Sequence, residues 1–120
     1  MDEVAIYRMP ADSLETAVGR LIDTDQDVVA PTAAPKGDVF FGPVESIEEI
    51  EFDYGNTQIS PAEFVRPSKE IYFEYERGEG GRPEISPPPE PNPTILFGIR
   101  PCDVAAIQFL DHFFLKREPI

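Results

Sequence analysis

The residues best suited to chemistry in this 120-residue chain lie in one short stretch, Arg100-Pro-Cys-Asp103. Cys102 is the only cysteine of the sequence. A cysteine thiolate is a nucleophile and a metal ligand, and both a helix N-terminus and a neighbouring arginine favour the thiolate over the thiol. Arg100 is suited to pair with the Asp103 carboxylate or to offset negative charge beside Cys102. Arg100, Cys102 and Asp103 are therefore the candidate cofactor-binding residues, and Cys102 is the candidate metal ligand.

Each of these residues also has a structural interpretation. A lone cysteine is most often a small buried apolar residue without chemistry. Asp103 directly precedes Val104, where a helical pattern begins, and an aspartate there suits the N-cap. His112 follows Cys102 by ten residues, which is ~15 Å along one helix, so the two cannot form a catalytic pair. We expect His112 to be structural, and Asp111 fits an ordinary polar helix face.

Hydrophobic patterning predicts the elements on either side of the turn. Residues 94–99 form a continuous apolar run, which is typical of a buried strand. Apolar residues then recur at helical spacing, at Val104, Ile107, Leu110, Phe113 and Phe114. We expect residues 99–103 to link a central strand to a helix whose Val104, Ile107 and Leu110 pack inward. Ligands gather where strand ends meet helix N-termini in α/β proteins, which supports this turn as the site.

Residues 97–111, Phe-Gly-Ile-Arg-Pro-Cys-Asp-Val-Ala-Ala-Ile-Gln-Phe-Leu-Asp, resemble a segment of the beta subunit of NiFe sulfhydrogenases. The related electron-transfer subunit of anaerobic sulfite reductase has a similar segment. A second resemblance covers residues 60–75, where a proline, a basic residue and an aromatic strand precede the Arg-Pro-Cys-Asp turn in that family. Members of the family are electron-transfer subunits that also contain a ferredoxin-type domain with two iron–sulfur clusters.

The resemblance implies that Cys102 ligates a 4Fe-4S cluster. Because such a cluster normally takes four cysteine thiolates, the other ligands would lie beyond residue 120. Residues 1–120 would then be a single domain, the N-terminal portion of a longer iron–sulfur protein whose ferredoxin-type domain is absent here. The isolated chain is expected to bind no cluster and to have no turnover. The implied partners are a flavin-containing electron-transfer subunit and a catalytic hydrogenase or sulfite reductase subunit, in the cytoplasm.

Composition narrows the remaining possibilities. A formal net charge of −13 argues against nucleic acid as a partner, because phosphate binding relies on clustered Lys and Arg. No apolar run approaches the ~20 residues of a membrane span. A single cysteine excludes an internal disulfide and fits a reducing compartment. No glycine-rich nucleotide-binding motif is present, and one cysteine with one histidine cannot form a structural zinc site.

The whole pattern predicts an α+β or α/β fold, with a mixed sheet of about four or five strands, two main helices and a Pro/Gly-rich loop. The first helix is expected over about 13–23, with Asp12 as its N-cap. One helical turn is expected at 60–63, capped by Ser60. Further strands are predicted near residues 4–7, 27–30, 38–41 and 70–75, and a polyproline-like loop is predicted at 78–92.

Two other functions fit the same sequence. In the first, the chain is a structural or interaction domain without a cofactor, and residues 100–103 are simply a capped turn. In the second, the chain is a redox-sensing thiol protein, which requires an exposed and reactive Cys102.

Overall fold

The computed structural model describes residues 5–116, which form two compact units. The first unit contains residues up to 59 together with 94–99, and the second contains 60–93 together with the residues from 100 onward. Two α-helices and five strands within this described range make an α+β protein, as predicted. The strands are divided between a mixed three-stranded sheet and a two-stranded hairpin. That residues 1–120 form one domain stays a prediction.

The first unit is built on the three-stranded sheet, in the order β2-β1-β5. Its strands are β1 (Asp27–Ala33), β2 (Val39–Pro43) and β5 (Thr94–Leu96). β1 pairs antiparallel with β2, from Val29↔Pro43 to Ala33↔Val39, and parallel with β5, from Asp27↔Thr94 to Val29↔Leu96. β5 is therefore an edge strand, and the prediction that it is central is wrong.

Helix α1 (Leu14–Ile22) packs against the first unit's core. The buried cluster contains one residue of this helix, Val18, with four others from the sheet and the segment after it: Val28, Ala30, Val44 and Ile50. Leu14, Leu21 and Ile22 are partly buried against the cluster. The predicted helix is confirmed to within one residue at each end.

The predicted N-cap of α1, Asp12, is wrong. A 3-10 turn, Ala11–Ser13, precedes the helix, and its first hydrogen bond runs from Ser13 N to Pro10 O at 3.0 Å. The extended Pro10 starts this turn, so Asp12 already has helical conformation and Ser13 becomes the N-cap without a side-chain hydrogen bond. The chain therefore enters a 3-10 turn at Ala11, and α1 itself begins at Leu14, one residue after the start that the capping pattern predicts.

The strand predicted at 27–30 does not stop before Pro31. Instead, β1 continues through Pro31 to Ala33. The carbonyl of Val29 accepts a hydrogen bond from Phe97 N on the β5 side, and Pro31 faces the same side two residues later. β5 has ended there, and the Pro31 carbonyl accepts instead from Glu51 N at 2.7 Å. Because the missing N–H of Pro31 faces no strand, the proline costs the ladder no hydrogen bond.

The second unit contains an antiparallel hairpin of β3 (Glu74–Arg77) and β4 (Pro83–Ser86). Gly80 and Gly81 turn the chain between them, with φ of 76° and 74°. The strand predicted at 70–75 is thus displaced toward the C-terminus, and the loop prediction for 78–92 is wrong over β4. Every residue of both strands is exposed. The strand predicted near 4–7 is not found over residues 5–7, and Val4 lies outside the described residues.

The same unit contains helix α2 (Pro101–Leu115) and a 3-10 turn, Pro61–Phe64, which contacts it. The hydroxyl of Ser60 accepts a hydrogen bond from Ala62 N at 3.2 Å, which confirms the predicted cap. No helix within residues 5–116 is both long and apolar enough to cross a membrane.

Candidate functional site

Within the first unit, the chain makes a tight bend at Gly98 after β5. Phe97 N donates to Val29 O at 2.8 Å, which extends the pairing of β5 by one hydrogen bond. Gly98 then has φ +75°, and a Cβ placed on it would lie 3.3 Å from Pro31 Cδ. The Tyr54 hydroxyl donates to the Gly98 carbonyl at 3.3 Å. Both the left-handed conformation and the close approach of Pro31 favour glycine here.

In the second unit the turn itself is short, because α2 begins immediately after Arg100. Arg100 is extended, with φ −89° and ψ 160°, and Pro101 is the first helical residue, a position that suits proline. The backbone N–H groups of Asp103 and Val104 both donate to Arg100 O at 3.0 Å. Arg100 is therefore the N-cap residue by position. The prediction that Asp103 is the N-cap is wrong, and the predicted link over 99–103 ends at Arg100.

Asp103, the third residue of α2, is held by hydrogen bonds to both carboxylate oxygens. Its Oδ2 accepts from Arg100 N at 3.4 Å, which gives one of the helix's first N–H donors a partner. Its Oδ1 accepts from the Ser60 hydroxyl at 3.3 Å. The carboxylate thus fixes the first turn of α2 and joins it to the capped turn at Ser60.

Cys102 is the second residue of α2, and its side chain is exposed. The interpretation of Cys102 as a small buried core residue is therefore wrong. The sulfur at this position lies in the first turn of the helix. Arg100 precedes it by two residues and is half-buried. The turn therefore presents one accessible cysteine sulfur, the kind of atom that serves as a metal ligand or a nucleophile.

The residues present do not fit a complete iron–sulfur cluster. Four thiolates are required, and the sequence has one cysteine. Among residues 5–116, no three His, Cys, Asp or Glu side chains gather as metal ligands. His112 is exposed and Asp111 is half-buried on α2, and neither joins Cys102 in such a group. Cys102 fits the chemistry of a single cluster ligand only.

The predicted inward face of α2 is less buried than expected. Ile107 and Leu110 are half-buried, Val104 is exposed, and no residue of the helix is fully buried.

The sequence predicts that Ser60 caps its own turn, but it does not predict the hydrogen bond from Ser60 to Asp103. The sequence did offer one signal. Ser60 begins one of the two segments that resemble the same family, and Asp103 lies in the other.

Fold and site together define a small acidic α+β protein with one exposed thiol in the first turn of a helix. Comparison with curated proteins finds a distant match to one relative, the beta subunit of sulfhydrogenase 2 from Pyrococcus furiosus, at 28% identity over 79 residues. The match confirms the resemblance seen in the sequence. It covers 66% of this chain and 22% of that protein, so the chain spans about a fifth of the relative's length. No family model matches, and no solved structure matches.

Proposed function

We propose that this chain is the N-terminal region of an electron-transfer subunit in a multi-subunit iron–sulfur oxidoreductase of the hydrogenase or sulfite reductase type. The observation that carries the proposal is the 79-residue match to a sulfhydrogenase beta subunit. The name of that relative makes it a subunit of a hydrogenase complex. We place the complex in the cytoplasm, with a flavin-containing electron-transfer subunit and a catalytic hydrogenase or sulfite reductase subunit as partners.

Within this proposal Cys102 supplies one ligand of a 4Fe-4S cluster, and cysteines outside residues 1–120 supply the others. An iron–sulfur cluster, when bound, transfers single electrons. The contribution of this chain is to hold one exposed sulfur at the start of α2. Asp103 fixes that turn through its bonds to Arg100 N and to Ser60, so it acts as a positioning residue. The chain alone has no turnover.

The proposal is tested by isolating the native protein from its own cells with an affinity tag. Subunits that remain bound after washing are identified by mass spectrometry, and iron, acid-labile sulfide and flavin are measured in the same sample. The expected result is a complex that contains a hydrogenase or sulfite reductase subunit with iron and flavin. A protein that emerges alone and free of iron would contradict it.

A non-catalytic interaction domain is the second candidate, and two observations favour it. Both oxygens of the Asp103 carboxylate already make structural hydrogen bonds. In addition, α2 leaves several large apolar side chains exposed, among them Phe109, Phe113, Phe114 and Leu115. In the isolation experiment this candidate predicts bound partner proteins without iron or flavin in the sample.

A further inference from the structure

The second unit has a groove beside the C-terminal half of α2. Its volume is about 440 Å³. Four lining residues are apolar, namely Val65, Leu110, Phe114 and Leu115. The other three, Arg66, Glu70 and Asp111, are charged. We call this surface the α2 groove.

The apolar side chains of the α2 groove are unusually open to solvent. Val65, Phe114 and Leu115 are 44%, 58% and 77% exposed. Single exposed apolar residues are ordinary, but a contiguous group of them marks a surface that binds another molecule. A neighbouring depression shares Arg66 and Leu110 with the groove and extends the apolar surface along α2 to Phe109. This open shape resembles a helix-binding groove more than an enclosed pocket for a small molecule.

The charged residues of the groove indicate the sign of the charge that its partner carries. The Arg66 guanidinium lies 5.7 Å from the centre of the Phe114 ring, so the one cation of the lining is engaged by an aromatic face. The carboxylates of Glu70 and Asp111 make no hydrogen bond or ion pair with other residues of the described range 5–116. Two carboxylates beside an apolar surface favour a partner that brings apolar side chains together with Lys or Arg.

The charge of the whole chain separates the possible occupants. Each copy carries −13, so a second copy would bring the same charge to the interface and repel the first. A basic segment would be attracted by the whole chain and by the groove. We propose that the α2 groove binds a basic amphipathic helix of a partner protein. Its apolar side chains contact Leu110, Phe114 and Leu115, and its Lys or Arg side chains pair with Glu70 and Asp111. This inference does not depend on the cluster assigned to Cys102.

The probe is a fluorescein-labelled peptide of about 18 residues, long enough to form a helix, with leucine at i, i+3, i+4 spacing and lysine elsewhere. A first twin has glutamate for every lysine. A second twin has the same composition in an order that breaks the helical spacing. Fluorescence anisotropy with the intact gene product is expected to give a Kd at least about tenfold lower for the basic amphipathic peptide than for either twin.

Two charge-reversal variants locate the binding surface. Glu70→Lys with Asp111→Lys removes the groove's carboxylates, while Glu48→Lys with Glu49→Lys makes the same charge change on exposed residues of the first unit. Each pair changes the formal net charge from −13 to −9, since each substitution adds two positive charges. We expect the groove pair to weaken peptide binding about tenfold and the control pair by less than about twofold. Leu110→Asp should abolish binding, and circular dichroism checks that this variant is folded.

Three results would overturn the proposal. Equal binding of the scrambled peptide would mean that the chain recognises only the overall charge of the peptide. Equal effects of the two charge-reversal pairs would place the peptide elsewhere. Sedimentation equilibrium that shows a dimer, lost in the groove variant, would make a second copy the occupant. None of these results depends on iron, so failure here is distinguishable from failure of the proposed function.

Discussion

The Ser60 hydroxyl donates a hydrogen bond to Asp103 Oδ1 at 3.3 Å, between residues 43 positions apart in the chain. The same hydroxyl accepts from Ala62 N and so caps its own turn. Ser60 and Asp103 belong to the two sequence segments that resemble the sulfhydrogenase beta subunit. Within the second unit, this bond brings the two segments into contact, and it does so one residue after Cys102.

Replacing Ser60 by Ala should destabilise this contact. The change removes the acceptor for Ala62 N and the donor to Asp103, so we expect the free energy of unfolding to fall by about 0.5–2 kcal/mol. Urea denaturation followed by circular dichroism measures it. Ser68→Ala is the matched control, because Ser68 is exposed and its side chain makes no hydrogen bond with another described residue. Equal stabilities of the two variants would contradict the assigned role.

Combining Ser60→Ala with Asp103→Ala isolates the bond itself. If the two side chains interact, the double variant should lose less stability than the two single variants together, by roughly 0.5 kcal/mol or more. Strict additivity would mean that each side chain acts only within its own turn.

Gly98 and Gly19 should respond to alanine with opposite signs. Gly98 has φ +75° and Pro31 Cδ in close approach, so Gly98→Ala should destabilise the chain by about 1–2 kcal/mol. Gly19 lies inside α1, where an added Cβ has no atom within 4 Å. Gly19→Ala should therefore stabilise the chain by about 0.5–1 kcal/mol, since alanine is the better helix former. Thermal unfolding of both variants tests this, and a change of the same sign in both would be inconsistent with the bend at Gly98.

The cores of the two units should differ in their sensitivity to truncation. Val18 is 1% exposed, so Val18→Ala should cost about 2–3 kcal/mol through lost burial and a small cavity. Leu110 is half-buried on a helix without any buried residue, so Leu110→Ala should cost only about 1 kcal/mol. A fully buried leucine would cost about 2–5 kcal/mol. Urea titrations compare the two, and a larger loss at Leu110 than at Val18 would show that α2 is packed more deeply than described.

Local patterns predicted the elements that local chemistry determines. The period of apolar residues located α1, and the Ser-Pro-Ala-Glu pattern located the turn capped by Ser60. Where prediction failed, contacts distant in sequence decided the outcome. β1 continues through Pro31 because β5 ends beside it. The sequence around Pro31 gives no information about where β5 ends. The helical spacing of apolar residues also predicted α2 correctly. That spacing shows which residues share a face of the helix, but it does not show what covers the face.

The candidate site was predictable in its residues and not in its contacts. Arg100, Cys102 and Asp103 do lie together at the start of α2. The sequence left open whether Cys102 is buried, and it contained no direct sign that Asp103 would accept a hydrogen bond from Ser60. Side-chain exposure and long-range pairing depend on how elements pack, which a single sequence does not specify.

The central claim, that Cys102 ligates a cluster with cysteines from beyond residue 120, is tested most directly by iron content. The measurement compares the intact gene product with its Cys102→Ser variant, by iron and acid-labile sulfide analysis and by electron paramagnetic resonance of the reduced protein. Ala105→Ser is the control, because it places the same side chain at an exposed position of α2. We predict that Cys102→Ser loses the iron of about one four-iron cluster and leaves the ferredoxin-type signals unchanged, while Ala105→Ser retains all of its iron. Equal iron content and identical spectra in the parent and Cys102→Ser would contradict the claim and leave the turn with a structural role alone.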